Sequence, residues 1–246
     1  GLDSRERLLT AVDSLSARLD RSEVMDRMDQ FYQQAFSLLT DSRARDVFDL
    51  QRETEVVRRK FGRFRFGQCC LLARRLIEGG SRFVQVNWSS HVEPVEDTGD
   101  GGWDMHDRYF QQFQDRHAWM LDQAMSALLD DLETTGLLDS TMIAMAGEFG
   151  RTPKLSTLTD SFNGAGRDHW GAVQSVFFAG GGVNGGTVIG SSDKTGGYPA
   201  TSPQKPENMA ASIYHALGIP AEAAWYDELN RPHRIYHGEP IPGLLG

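Results

Sequence analysis

The spacing of apolar residues divides the chain into a helical front segment and a part in which strands and helices alternate. Within residues 1–78, apolar side chains recur every three or four positions, for example at Leu8, Val12, Leu15 and Leu19. This is the period of an amphipathic helix. The pair Gly79-Gly80 is expected to end the last of these helices, since glycine favours the position just after a helix. We therefore predict a helical segment over residues 1–78.

The pattern changes after residue 80. The segments that we assign to strands are 81–88 (SRFVQVNW), 141–146 (TMIAMA), 173–179 (VQSVFFA) and 187–190. The segments that we assign to helices are 107–135 and 206–217, each followed by a glycine. After Thr141 the run 141–146 is apolar, as in a parallel strand buried on both faces. Strands and helices in this order predict a single α/β domain over residues 1–246, with a mainly parallel sheet flanked by helices.

The glycine-rich stretch 180–186 (GGGVNGG) satisfies the G-x-G-x-x-G dinucleotide pattern literally. That fingerprint requires a helix immediately afterwards, whereas residues 187–190 continue as a predicted strand. The dipeptide Asn184-Gly185 is a favoured hairpin turn. We therefore predict a hairpin in which the strands around Phe178 and Val188 pair, and no nucleotide site.

Composition narrows the classes of function. Hydrophobic residues make up 39% of the chain and charged residues 24%, which is ordinary for a globular protein. The net charge of −9 argues against a nucleic-acid partner, which requires a basic surface. No apolar run of about 18 residues is present, so no membrane span is predicted. The two cysteines, Cys69 and Cys70, are neighbours on a predicted helix and point in different directions, so we expect two thiols and no disulfide.

Three short loops carry the candidate chemistry, because each combines glycine with acidic, imidazole or guanidinium side chains. Their sequences are GWDMH (102–106), GEFGRTP (147–153) and GRDHW (166–170). Ligands of open α/β sheets bind beyond the carboxyl ends of the strands, so we expect the three loops to meet at one edge. Carboxylates and imidazoles together are typical of a metal site or an acid/base site. We assign His117 a surface or packing role and His215 a place in the carboxyl-terminal turn of a helix, where a cation suits the dipole. His233 and His237 lie in the tail and have no acidic partner in a close motif.

The order of these motifs resembles a bacterial family, the domain of unknown function 1501. The resemblance rests on RFV (82–84), WDMH, GEFGRTP, GRDHW, AGGG (179–182) and IYHALG (213–218), and it spans the whole chain. It implies an alkaline-phosphatase-like or sulfatase-like α/β fold and the hydrolysis of phosphate or sulfate esters, with a small-molecule or glycan ester as substrate. It also implies an exported bacterial protein.

The same resemblance implies which residues form the site. Asp104, His106 and His169 correspond to ligands of one metal position, and Glu148 stands where the superfamily has an Asp-His ligand pair. The divalent metal is left open among Zn²⁺, Ca²⁺, Mg²⁺ and Mn²⁺. We expect the donor atoms of Asp104, His106 and His169 to lie within reach of one ion. Arg151 and Arg167 are the candidates for binding the anionic group of a substrate, and Arg151 and Asp168 are the candidates for a catalytic role.

Two departures from the superfamily keep a second interpretation open. Phe149 replaces the histidine of the ligand pair and cannot bind a metal. The resemblance also implies that the nucleophile lies in an amino-terminal section before Gly1, and we identify no nucleophile in the chain. The alternative to a hydrolase is therefore a non-catalytic binding or assembly domain that retains part of the ligand set.

Overall fold

The structure is a computed structural model that describes residues 30–33, 42–88, 102–157 and 165–246. The chain divides into two compact units, Gly1–Arg52 and Glu53–Gly246. The predicted apolar stripe from Leu8 to Leu19 lies outside the described residues, and the single domain over 1–246 stays a prediction. In the first unit, helix α1 spans Ser42–Phe48 and a 3₁₀ turn spans Leu50–Arg52.

The second unit contains the remaining described helices. They are α2 (Glu55–Lys60), α3 (Arg65–Glu78), α4 (Tyr109–Gln112), α5 (Ala118–Thr134) and α6 (Pro206–Ala216). A 3₁₀ turn follows α5 at Leu138–Ser140. Gly136 has a φ of +73°, the left-handed conformation that commonly ends a helix. The predicted ends of α3, α5 and α6 are thus confirmed to within one or two residues. In the part of the chain that the structure describes, no helix is long and apolar enough to cross a bilayer.

The core of the second unit lies where α3 packs against α5. Its fully buried apolar side chains include Phe61, Leu71 and Leu132. A continuous helix over 107–135 has Phe110 on the same inward face as Met120 and Ala124, but 57% of the surface of Phe110 is exposed. The reason is a π-helical turn, Phe113–His117, between α4 and α5. Such a turn inserts an extra residue, so the apolar stripe of α5 does not continue onto the same face of α4.

A buried arginine joins α3 to its neighbours. The side chain of Arg74 is only 9% exposed, and its nitrogens lie 2.7–3.0 Å from carboxylate oxygens of Glu53, Glu78 and Asp131. The Nε of Arg74 and the Oδ2 of Asp131 lie 2.9 Å apart but outside hydrogen-bond geometry, so this contact is mainly electrostatic. Removing one partner from ion pairs of this kind lowers the stability of the fold, because the charges that remain stay partly buried.

Within residues 30–33, 42–88, 102–157 and 165–246 the strands form four separate pairs, and every one of these pairs is antiparallel. These pairs are β1 (Ile143–Met145) with β4 (Phe177–Ala179), β2 (Gly150–Arg151) with β3 (His169–Trp170), β5 (Ser191–Ser192) with β6 (Pro199–Thr201), and β7 (Ala224–Tyr226) with β8 (Pro232–Arg234). The mixture of helices and strands agrees with our expectation, whereas the mainly parallel sheet does not appear among the described residues. Ala144 in β1 is exposed, so the apolar run that we assigned to a doubly buried parallel strand is covered only in part.

Two predicted strands are wrong. Residues 81–88 form no strand, although Val84, Val86 and Trp88 alternate in burial with exposed neighbours. The predicted hairpin at Asn184-Gly185 is also absent. Phe178 pairs with Ala144 instead, and Val188 lies outside any strand with 90% of its surface exposed.

The carboxyl-terminal residues explain the missing hairpin. The backbone N–H of Asn184 donates to the carbonyl of Leu244 (2.8 Å), and Val183 forms an isolated bridge with Leu245. The side-chain amide of Asn184 donates to Gly243 (3.1 Å). The local turn signal is therefore overridden by a partner some 60 residues away, which a rule based on neighbouring residues does not include.

The adjacent cysteines differ in environment, and this difference predicts their reactivity. Cys69 is exposed and Cys70 is buried, and no disulfide joins them. Burial raises the pKa of the Cys70 thiol to about 12, with a smaller contribution from the neighbouring Cys69. The reactive form of a thiol is the thiolate, so Cys70 should be inert at pH 8.

We expect a disulfide reagent to modify one thiol in the native protein and both thiols in denaturant. The substitution Cys69→Ala should abolish the reaction of the native protein.

Candidate metal centre

The candidate site is built from two chain segments that are joined through their backbones. Asp104 and His106 lie in the loop before α4, and His169 begins β3. The backbone N–H of Arg167 donates to the carbonyl of Met105 (2.9 Å), and that of Tyr109 donates to Ala165 (3.2 Å). These two hydrogen bonds flank the site and fix the loop of Asp104 against the segment that carries His169.

Gly166 allows these two segments to approach closely. A Cβ atom at this position would lie 1.9 Å from the carbonyl carbon of His106 and 2.0 Å from its oxygen. Backbone atoms cannot move aside as a flexible side chain would, so even alanine would push the loop of His106 away. The residue also forms a backbone bridge with Ser156, with hydrogen bonds of 2.9 and 3.0 Å. The glycine of the GRDHW motif is therefore required by close backbone packing.

Asp104, His106 and His169 converge as the sequence predicts. We define them as the triad. The Oδ1 of Asp104 lies 3.0 Å from the Nε2 of His106 and 2.9 Å from the Nε2 of His169. The two Nε2 atoms are 3.3 Å apart. All three residues thus offer a donor atom within 4.8 Å of the others, an arrangement that can hold a metal ion.

The charge of Asp104 is stabilised by its neighbours. Partial burial works to raise the pKa of this carboxyl group, but hydrogen bonds from Arg151 and His169 outweigh burial and lower the pKa below its usual value. The Nη1 of Arg151 lies 2.5 Å from Oδ1 of Asp104. The site therefore presents an ionised carboxylate beside two imidazoles at neutral pH.

A second layer of polar groups surrounds His106. The Nδ1 of its ring lies 3.0 Å from Oδ1 of Asp168, on the side of the ring opposite Asp104. Ser156 donates a hydrogen bond to the other oxygen of Asp168 (2.8 Å). Burial opposes ionisation of Asp168, yet hydrogen bonds from His106 and Ser156 lower its pKa. Asp168 is thus an ionised partner of His106 and is not a member of the triad.

The other predicted site residues lie around the triad. The side chain of Glu148 is 62% exposed and accepts a hydrogen bond from Nη2 of Arg151 (3.2 Å). Glu148 does not belong to the donor group found among the described residues. Arg151 pairs with both Glu148 and Asp104. The guanidinium of Arg167 lies over the ring of Tyr109, 4.9 Å from its centre. The ring of Phe149 lies 4.6 Å from that of His169, so it packs against a ligand candidate.

Three polar contacts were not foreseen from the sequence. Ser156 and Thr152 both support Asp168, since the Oγ1 of Thr152 accepts the backbone N–H of Asp168 (3.1 Å). These residues are 12 and 16 positions from Asp168, and only the pairing of the two segments brings them together. His233 does have an acidic partner, Asp227, at 3.2 Å. Residues 225–234 fold as a hairpin, and their spacing could have indicated this pair.

Comparison with known proteins gives one family. The family model described as "Protein of unknown function (DUF1501)" matches residues 1–245, a range that includes the whole triad and its surrounding residues. No curated protein and no solved structure gives a significant match to the chain.

Proposed function

Because the chain belongs to the DUF1501 family of proteins of unknown function, whose motifs resemble those of the alkaline-phosphatase and sulfatase superfamily, we propose that it is a metal-dependent, hydrolase-like protein. Its substrates would be phosphate or sulfate esters of small molecules or glycans. The observation that carries the proposal is the convergence of Asp104, His106 and His169. The superfamily fold and export from the cell belong to the same proposal and rest on the order of the motifs.

The donor atoms fit a zinc ion best. Two imidazole nitrogens and one carboxylate oxygen form a donor set typical of catalytic zinc sites, whereas Ca²⁺ and Mg²⁺ prefer oxygen ligands alone. A tetrahedral ion with bonds of about 2.0–2.1 Å has ligand-to-ligand distances of about 3.3–3.4 Å. The observed distances of 2.9, 3.0 and 3.3 Å are close to this value. The three side chains can therefore surround zinc after small adjustments.

The electrostatics of the triad also favour a cation. Because the ionised Asp168 accepts a hydrogen from Nδ1 of His106, the Nε2 of a neutral imidazole directs a lone pair towards the carboxylate of Asp104. Two electron-rich atoms 3.0 Å apart repel each other unless a proton or a metal ion lies between them. A divalent cation would satisfy both atoms together with the imidazole of His169.

A hydrolase would use the neighbouring residues for binding and orientation. A zinc ion held by Asp104, His106 and His169 would supply Lewis acidity and would lower the pKa of a water molecule at the site. Arg151 adds a positive charge beside Asp104, and its guanidinium suits the oxygens of a phosphate or sulfate group. Glu148 shares this guanidinium and thereby orients it.

The alternative, a binding domain without catalysis, rests on two residues next to the triad, Phe149 and Arg151. Phe149 supplies an aromatic ring where a ligand of a second metal would be required. Arg151 is engaged by two carboxylates and would have to leave at least one of them to bind an anion. A domain with one metal position and without a second one would use its ligand set for binding and would not hydrolyse a substrate.

Zinc titration of the metal-free protein, followed by an assay of aryl phosphates and aryl sulfates, tests the proposal. We expect one Zn²⁺ per chain by calorimetry and elemental analysis. We expect weak hydrolysis, because no nucleophile has been identified and Phe149 is not a ligand, so the triad alone would have to support the reaction. Hydrolysis that requires zinc and disappears in His169→Ala supports the hydrolase. Zinc binding without turnover would favour the binding domain, and failure to bind zinc would refute both.

A further inference from the structure

We infer that Asp168 is a positioning residue, which holds the ring of His106 in the tautomer and orientation that direct Nε2 at the metal site. The inference rests on the proposed metal site and concerns how this chain prepares it. Asp168 does not itself belong to the group of donors that could hold the ion.

The two nitrogens of the His106 ring have different partners. Nδ1 lies 3.0 Å from Asp168, and Nε2 lies 3.0 Å from Asp104 and 3.3 Å from Nε2 of His169. Nδ1 is hydrogen-bonded to Asp168, whereas the Oδ1 of Asp104 that faces Nε2 already accepts hydrogen bonds from Arg151 and His169. The single hydrogen of the neutral ring is therefore placed on Nδ1. Nε2 is then the nitrogen with the lone pair, which is the form that binds a metal.

Asp168 is itself held in place from three directions. Its Oδ2 accepts a hydrogen bond from Ser156 (2.8 Å), and its backbone N–H donates to Oγ1 of Thr152 (3.1 Å). Its carbonyl accepts the backbone N–H of Thr152 (2.9 Å). With one oxygen bound to Ser156 and the other to His106, the carboxylate has a fixed orientation. The ring of His106 is therefore fixed through Asp168 to Thr152 and Ser156, in the segment that follows β2.

A carboxylate behind a ligand histidine orients the ring and increases its basicity, and loss of such a partner typically lowers metal affinity by about 10–100-fold. The chain offers a matched control in Asp227, which lies 3.2 Å from His233. That pair belongs to the β7–β8 hairpin, where the His233 ring stacks on Trp225. Changing Asp227 should leave the metal site unaffected.

The tautomer of His106 can be measured directly by ¹⁵N nuclear magnetic resonance on the metal-free protein at alkaline pH, where imidazoles are neutral. We expect the hydrogen on Nδ1 in the natural protein and in Asp227→Ala. In Asp168→Ala, Nδ1 loses its acceptor, so the hydrogen should shift towards Nε2, and Zn²⁺ affinity measured by calorimetry should fall by about 10–100-fold.

Asp168→Asn keeps the shape and an acceptor oxygen, so it is the variant to use if Asp168→Ala does not fold. A neutral amide is a weaker acceptor than a carboxylate. The Nδ1 hydrogen should therefore remain in place with its resonance shifted upfield, and zinc affinity should fall less than in the alanine variant. An unchanged tautomer in Asp168→Ala, or an unchanged Nδ1–H resonance in Asp168→Asn, would overturn the inference.

This design separates the inference from the proposed function. The tautomer is read without any metal, so it reports on Asp168 even if the natural protein binds no Zn²⁺. Failure of zinc binding with the expected tautomer would refute the proposed metal site and leave the positioning of His106 standing. Normal zinc binding, together with a tautomer that Asp168→Ala does not change, would refute the positioning role of Asp168 and leave the proposed metal site standing.

Discussion

Replacing His169 with alanine is expected to lower the affinity for Zn²⁺ by more than about 100-fold, which exceeds the effect of losing an outer partner of a ligand. The substitution removes one of three donors and leaves Asp104 and His106, which lie 3.0 Å apart, as the remaining pair. The side chain of His169 is 52% exposed, so its loss should affect the fold little. Calorimetric titration with Zn²⁺ measures the affinity, and thermal unfolding of the metal-free protein confirms that the variant is folded.

His233→Ala is the matched control, because His233 is also a half-exposed histidine beside an aspartate. Its zinc affinity should equal that of the natural protein. If His169→Ala retained full affinity, the convergence of the triad would have no role in metal binding. A second outcome, equal loss in both variants, would show that Zn²⁺ binds histidines of the surface without a defined site.

Replacing Arg74 with alanine is expected to destabilise the second unit by about 3–5 kcal/mol, the usual cost of breaking a buried ion pair from one side. The change removes the charge that Glu53 and Asp131 both approach. Glu53 keeps Arg75 as a partner at 2.5 Å, so the loss falls mainly on Asp131, whose side chain is 18% exposed. It also removes the packing of a long side chain between α3 and α5. Urea denaturation followed by circular dichroism measures the free energy of unfolding.

Arg59→Ala provides the comparison for an exposed pair. Arg59 lies 3.7 Å from Glu55 one helical turn away, and both side chains are more than half exposed. Pairs of this kind contribute about 0.3–0.5 kcal/mol, so the midpoint of denaturation should hardly change. Similar effects of the two substitutions would show that the burial of Arg74 does not determine its importance.

The sequence identified the residues of the triad but gave the wrong reason for their convergence. We expected three loops at the carboxyl edge of a parallel sheet. Instead, the antiparallel pairing of β2 with β3 and the bridge between Ser156 and Gly166 fold the chain back on itself. The prediction of the triad succeeded because the same motifs supply the donor side chains whether the strands are parallel or antiparallel. It could not give the direction of pairing, since a short apolar run such as 141–146 has the same composition in parallel and antiparallel strands.

Long-range competition explains most of the other errors. The turn residues at Asn184-Gly185 favour a hairpin locally, but the carboxyl-terminal residues bond the backbone N–H of Asn184 and the carbonyl of Gly182. Residues 81–88 have the composition of a strand and yet pair with no other strand in the described ranges. Helices were predicted more closely because their hydrogen bonds connect residues four positions apart, within reach of a local pattern.

The backbone contact at Gly166 separates the position of the candidate metal ligands from their identity. The loop of Asp104 and the segment of His169 are held together by main-chain hydrogen bonds and by the close approach of Gly166 to His106. Exchange of a donor side chain, for example Asp104→His, would alter the preference among metals while the two segments keep their places. For the proposed metal site, such a frame would permit a change of metal through single substitutions at the donors, provided that position 166 remains glycine.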